Sequence, residues 1–181
     1  MVLLDGQRLN EANTGSGLFA NGLLTVDNIK QVEIIRGPGS ALHGSNAFLG
    51  VINIITDREK NDIFVRGGTF TGNELDIKDI GVKYSEKFSD LSISGFARAF
   101  SDKGEIFQNV SDGIKTDDKT RDPREGIDLY AVIEFMELDV SLRYTRRDYS
   151  DFFFVGSLGD DIIDIRMENK FFRFSYIHCF S

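Results

Sequence analysis

The chain has 181 residues, a length that fits one domain or a piece of a larger one. Asp and Glu outnumber Lys and Arg 29 to 21, for a net charge of −8, which opposes nucleic-acid binding because phosphate contacts need a basic patch. A single cysteine excludes an intramolecular disulfide, and no run approaches the roughly 18 consecutive apolar residues of a membrane helix; membrane strands stay open, since their alternation averages to a mean hydropathy near zero and the value here is −0.19.

Residues 1–27 read as starting in mid-fold. Val2-Leu3-Leu4 is strand-like and runs into a turn at Asp5-Gly6, whereas a natural chain end is normally polar and frayed. MVLLDGQRLN has neither a basic region nor an apolar one, so no signal peptide is expected within it, and the reading frame is expected to be truncated. Asn13 to Gly17 is a loop of small residues, and Leu23 to Ile29 leads into the most informative stretch of the chain.

That stretch, Asn28 to Thr56, has two short strand-like runs, Val32 to Ile35 and Val51 to Ile55, on either side of a glycine-rich connection. Pro38 fixes φ and lacks a donor, while Gly37, Gly39, Gly44 and Gly50 allow positive φ, so the connection is compact, with room for one helical turn between Ser40 and Phe48. The expected unit is a turn between two strands of a small mixed sheet, with Val32, Ile34, Val51 and Ile54 buried.

VEIIRGPGSALHGSNAFLGVINIIT resembles the end of the plug domain of TonB-dependent outer-membrane receptors. The match places Glu33, Arg36, Gly37, Pro38, Ser40, Gly44, Gly50, Asn53 and Thr56 together, and departs only at His43, where the family more often has Tyr. LLDGQRLN is similar to a further segment of the same domain. The resemblance implies that residues 1–56 are the C-terminal half of a plug, a small α+β unit with a mixed sheet. It implies a receptor in the outer membrane of a Gram-negative bacterium, surrounded by outer-membrane lipid. That receptor takes up a scarce nutrient, a small molecule or metal chelate such as a ferric siderophore or vitamin, by energy coupling and without covalent chemistry or cofactor. Its periplasmic TonB-type energy transducer binds a box upstream of anything present here. In this family the arginine of the RGP motif, Arg36 here, meets barrel-wall glutamates and helps lock the plug; Glu33 is the second lock candidate, and Gly37, Pro38, Gly39, Gly44 and Gly50 form the motif turn.

The charged run 57–61 breaks the apolar pattern and reads as a linker. From residue 62 to 181 the segments alternate with period two, as strands with one apolar face require. Leu91, Ile93, Gly95, Ala97 and Ala99 oppose Ser92, Ser94 and Arg98. Ile127, Leu129, Ala131, Ile133 and Phe135 oppose Asp128, Tyr130 and Glu134. Leu138, Val140, Leu142 and Tyr144 oppose Asp139, Ser141, Arg143 and Thr145. Two more segments follow, with Ile163, Ile165 and Met167 apolar in one and Phe172, Phe174 and Tyr176 in the other. Near Asp79 the phase changes, as a bulge would produce. The gaps are short at Thr71 to Asn73 and Ser85 to Asp90, long from Ser101 to Gly126, very short at Met136-Glu137, moderate from Ser150 to Asp160 and very short near Asn169. From the third strand on they alternate as in a barrel with tight turns at one rim and extended loops at the other. About seven candidate strands are too few to close such a barrel, so the fold class expected is mainly β, a partial plug followed by antiparallel strands of an incomplete transmembrane β-barrel with an unpaired last strand, Phe171 to Phe180.

Other chemistry fits poorly. GPGSALHG lacks the Lys-Ser/Thr ending of a phosphate loop. His43 and Ser45 lack a nucleophile-elbow context, so no enzyme is expected. The acidic stretch Asp112 to Asp128, with Asp117, Asp118, Asp122 and Glu125, lacks calcium-loop spacing and reads as a solvated loop. Cys179 with His178 has no metal-site spacing. Phe152, Phe153 and Phe154 suit an aromatic girdle or loop packing. The competing class is a soluble or secreted β-rich ligand- or glycan-binding domain, whose apolar strand faces would pack on one another.

Overall fold

The computed structural model describes residues 1–10, 24–37, 47, 49–70, 75–111, 117–150 and 165–176. It divides into two compact units, Met1–Lys60 and Asn61–Ser181.

In the first unit β1 (Val2–Leu4), β2 (Gln7–Arg8), β3 (Ile29–Arg36) and β4 (Gly50–Thr56) form one sheet in the order β2-β1-β4-β3. β1 and β4 run parallel while the other neighbours are antiparallel, which makes the sheet mixed. Asp5 and Gly6 both take positive φ (50° and 79°), the conformation a tight two-residue hairpin needs and an Asp-Gly pair tolerates best. A single 3-10 turn, Val26–Asn28, leads into β3. Leu3, Ala47 and Val51 form the core, with Met1 packed against it. Of the four positions expected to be buried, Val51 and Ile54 are, at 1% and 5% exposure, but Val32 and Ile34 are exposed at 51% and 65%. The run Val32 to Ile35 forms a strand as expected but is not buried, because among the described residues β3 is the edge strand of this sheet, with a neighbour on one side only. The helical turn allowed at Ser40 to Phe48 lies almost wholly outside the described residues.

In the second unit β5 (Asp62–Gly68), β6 (Ile77–Phe88), β7 (Leu91–Asp102), β10 (Arg124–Phe135), β11 (Leu138–Tyr149) and β12 (Ile165–Tyr176) form an antiparallel sheet in the order β12-β11-β10-β7-β6-β5, and it is not closed. β8 (Phe107–Ser111) and β9 (Asp117–Thr120) pair as a separate hairpin. Three expectations are corrected. The long gap after Ser101 contains this hairpin, so Asp117 and Asp118 are in a strand rather than a loop, and Glu125 belongs to β10, the strand expected for Asp128. The two final segments are one strand, β12, paired with β11 without interruption from Ile165 to Tyr176, so there is no turn at Asn169. Its change of apolar phase means that Ile165 and Met167 share a face with Arg173, not with Phe172 and Phe174. β6 pairs in unbroken register with both neighbours, so the phase change near Asp79 is no bulge; an apolar Ile77 simply stands on the polar face.

Two-residue turns, Ser89-Asp90 and Met136-Glu137, join β6 to β7 and β10 to β11. Ser89 and Met136 carry positive φ (50° and 51°), the sign that matches the right-handed twist of the flanking strands. The other connections, residues 69–76, 103–123 and 150–164, are all longer, and the strand ends they join, Gly68 and Ile77, Asp102 and Arg124, Tyr149 and Ile165, are at the opposite rim.

One face of this sheet is apolar and open. Ile63, Val65, Ile80, Val82, Tyr84, Leu129, Ile133, Phe135, Leu142, Phe172, Phe174 and Tyr176 are each at least 40% exposed. The other face carries polar residues, several of them buried: Asp79, Ser94, Asp128, Ser141, Thr145 and Arg147. The apolar residues form a band that slants across the strands. Phe174, at the centre of the band on β12, is level through successive registers with Val140, Ile133, Ile93 and then Glu86. On β6, however, the apolar residues Ile80, Val82 and Tyr84 centre on Val82, so the band has drifted by 86 − 82 = 4 residues in four strand-to-strand steps.

Candidate functional site

The base of the glycine-rich turn is built by β3 and β4. Gly50 opens β4 at φ +149°, where a β-carbon would stand 2.6 Å from the carbonyl oxygen of Ile35, and Gly37 closes β3 at φ +104°. Both positions therefore disfavour any side chain, the first also by overlap with backbone. Pro38, Gly39 and Gly44 lie outside the described residues, as do His43, Ser45, Phe152 to Phe154, His178 and Cys179.

Asn53 ties three strands. Its Nδ2 donates to Glu33 Oε2 at 3.0 Å across to β3, and its Oδ1 accepts from the backbone N–H of Gly6 at 3.2 Å, in the turn after β1. Gln31 Nε2 adds a bond to Glu33 Oε1 at 3.0 Å. Asp5 does the same at the end of β4: its carboxylate accepts from Thr56 N and Thr56 Oγ1, both at 2.9 Å, while its own N–H donates to Ile54 O at 2.8 Å. The motif residues Asn53 and Thr56, with Asp5 and Gly6 of the preceding segment, are thus one hydrogen-bonded frame. Glu33 is part of it. Arg36 is not: it is exposed at the end of β3, with no ion-pair partner among the described residues.

The polar face of the larger sheet holds a second constellation, which sequence reasoning missed. Arg66, Asp79, Arg98, Asp128 and Arg147 alternate in charge across β5, β6, β7, β10 and β11. Arg66 Nη1 reaches Asp79 Oδ2 at 3.2 Å; Arg98 grips the same carboxylate with Nε at 2.8 Å and Nη2 at 3.1 Å; Arg98 Nη1 stands 3.9 Å from Asp128. Arg147 Nη2 donates to both oxygens of Asp128 at 2.8 and 3.0 Å, and its Nη1 donates to Arg146 O at 2.9 Å. Asp79, Asp128 and Arg147 are 7%, 5% and 4% exposed, so these are desolvated pairs with their hydrogen bonds met rather than solvated surface ions.

Glycine and phenylalanine make the room. Phe64 lies over Gly81 and Phe100 over Gly126, so that a β-carbon at either glycine would overlap a ring; at 126 it would also come within 2.9 Å of Arg147 Nη1. The arginines stack on those rings, Arg66 at 4.3 Å from the Phe64 centroid and Arg98 and Arg147 at 4.5 and 5.2 Å from Phe100. The signal present in the sequence is an acid two residues from a glycine, Asp79-x-Gly81 and Gly126-x-Asp128, on the polar phase of a strand, with Arg98 and Arg147 opposite the glycines.

Of the acids singled out in the long gap, Asp122 has a local role: its Oδ1 accepts from Glu105 N at 3.2 Å. Asp102, at the end of β7, accepts from Gly104 N at 2.9 Å and pairs with Arg124 at 3.3 Å.

Comparison with known families matches residues 1–51 to the TonB-dependent Receptor Plug Domain. The match covers β1 to the start of β4 and includes Asp5, Gly6, Glu33, Arg36, Gly37 and Gly50. The match and the mixed sheet it covers support a TonB-dependent receptor plug domain over residues 1–51; the antiparallel sheet that follows lies outside the matched residues.

Proposed function

We propose that residues 62–181 are strands from the wall of a transmembrane β-barrel, and that the receptor uses it to take up a scarce nutrient across the outer membrane by energy coupling. The observation that supports this most is the slanted apolar band. A drift of about one residue, or 3.3 Å, per inter-strand step of about 4.8 Å corresponds to strands inclined by roughly 35° to the plane normal of the band, within the tilt of membrane barrels. Along β10 the band runs from Ile127 to Phe135, roughly 27 Å at 3.3 Å per residue, or about 22 Å after that inclination, close to the height of a lipid-facing belt. Tyr84, Phe135 and Tyr176 end the apolar run on β6, β10 and β12 toward the same rim, the place of an aromatic girdle. A soluble sandwich has no reason to slant its apolar face, or to expose it while burying charge on the other.

In this reading residues 1–56 are the C-terminal half of the plug and 57–61 the linker. Arg36 serves as the lock, its free guanidinium available to acids of the receptor interior, with Glu33 fixing the strand that carries it. The cargo class is a metal chelate or vitamin-sized molecule, and a periplasmic TonB-type transducer supplies the work. The test is uptake by cells carrying or lacking the full-length receptor, across a panel of labelled ferric siderophores and cobalamin, with and without a protonophore. Protonophore-sensitive uptake of one panel member, lost on deletion, is expected. Receptor-dependent uptake that survives collapse of the proton gradient would refute energy coupling.

A further inference from the structure

We propose that the Arg66–Asp79–Arg98–Asp128–Arg147 belt sets strand register at the β5–β6 and β7–β10 seams of this wall, which no tight turn defines. The inference rests on the proposed lipid-facing role of the apolar face. Two-residue turns fix the register of β6 against β7 and of β10 against β11, because sliding either pair would break the turn. The seams β5–β6, β7–β10 and β11–β12 are joined by longer connections that tolerate a slip.

The apolar face does not prevent one. Slid by two residues, β7 still presents small and apolar side chains beside apolar ones on β10, and lipid tails are as apolar as leucine, so little is lost. The polar face responds differently. Arg66 is directly opposite Asp79 and Arg98 directly opposite Asp128, so each of the first two loose seams carries its own arginine–aspartate pair in register. At the third, Arg173 reaches Asp139 at 2.8 Å. A two-residue slip at β7–β10 would set Arg98 against Gly126 or Tyr130, and Asp128 against Phe96 or Phe100, breaking the 3.9 Å ion pair that joins the two hairpins while Arg98 keeps Asp79 and Asp128 keeps Arg147 within their own hairpins. It would also move Phe100 off Gly126, the one residue on that face of β10 that leaves it room. Polar groups that specify register at an otherwise permissive interface are a known use of buried charge.

The test reads register by cysteine cross-linking in the full-length receptor in outer membranes, with Cys179→Ser as background. Ala97→Cys with Leu129→Cys reports the observed register, and Ala97→Cys with Ile127→Cys or Ala131→Cys reports the two slips. With the belt intact the 97–129 product should dominate. In Arg98→Met/Asp128→Leu the slipped products should rise at least tenfold, while Val82→Cys with Ala97→Cys, across a two-residue turn, should cross-link as before. Slipped products within twofold of the intact receptor would overturn the proposal. If the double variant does not assemble, Arg66→Met decides by the same criterion at β5–β6, where Ile63→Cys is paired with Val82→Cys for the observed register and with Ile80→Cys or Tyr84→Cys for the slips. Failure of the membrane reading shows separately, as labelling of a lone cysteine at 129 by an impermeant maleimide in intact membranes.

Discussion

Replacing one glycine by alanine at two places in adjacent strands should have opposite effects. At Gly126 the new β-carbon would stand 2.6 Å from Arg146 O, 2.7 Å from Phe100 Cε1 and 2.9 Å from Arg147 Nη1. The carbonyl is backbone in mid-sheet and does not yield, so Phe100 and Arg147 must move, and Arg147 cannot do so while keeping both bonds to Asp128. Separating a buried pair costs about 3–5 kcal/mol, offset by about 0.4–1 kcal/mol because alanine restricts the unfolded chain more than glycine does. Gly126→Ala should therefore destabilise by about 2–4 kcal/mol. At Gly95 the nearest atom to a β-carbon is Tyr130 O at 3.5 Å, an ordinary contact, and the residue lies on the open apolar face. Gly95→Ala should be neutral or stabilise by up to about 1 kcal/mol. Urea titration of the full-length receptor in lipid vesicles, with the folded fraction read by electrophoretic mobility, separates the two. If Gly126→Ala unfolds at the same or a higher urea concentration than Gly95→Ala, the account of the glycine niche is wrong.

Asp5→Ala should free the end of β4 by removing both bonds to Thr56, costing about 1–3 kcal/mol because the Thr56 N–H is left in a buried setting; faster amide exchange at Thr56 than in the parent protein checks it. Leu129→Arg, in the middle of the apolar band, should cost about 2–4 kcal/mol in vesicles if that face meets lipid, whereas an unchanged urea midpoint would mean it meets water. Arg36→Ala in the full-length receptor should increase passive antibiotic entry by loosening the plug, and equal entry would make Arg36 a surface charge only.

Strand existence was legible because period two survives in single residues: Leu138 to Thr145 alternates without exception, and β11 is where it should be. The mixed sheet of the first unit was legible through motif residues whose reasons are local, such as positive φ at Gly37 and Gly50. Two kinds of feature were not. Burial on β3 depends on sheet order, so Val32 and Ile34 look like core in sequence and are exposed at an edge. The charge belt depends on register between strands separated by long connections: Asp79 looks in sequence like a break in phase and Asp128 like one polar-face residue of its strand, and only the pairing of β7 with β10 brings Arg98 opposite Asp128. β12 failed for a related reason, since its apolar residues change phase midway while its backbone does not. Where the slanted band leaves the strand, Lys170, Glu168 and Arg166 take over the same face that Phe172 occupies.

The energetics of the two faces point to one solvent for each. Fully burying a large aliphatic or aromatic side chain is worth about 1.5–3 kcal/mol, so the twelve open apolar residues of the larger sheet, each forgoing about half of that in water, represent roughly 9–18 kcal/mol. That is as large as the whole stability of an ordinary domain, about 5–15 kcal/mol, and no water-facing sheet would carry it without packing against something. Meanwhile the opposite face keeps Asp79, Asp128 and Arg147 out of water only by pairing each of them. A face that gains from an apolar surround and a face that gains from fixed ionic partners are both satisfied when lipid lies on one side and a polar interior on the other. The belt then has a second consequence. Each buried acid is held by arginines of its own sheet, and with three arginines to two aspartates the belt leaves one positive charge in excess on the polar face.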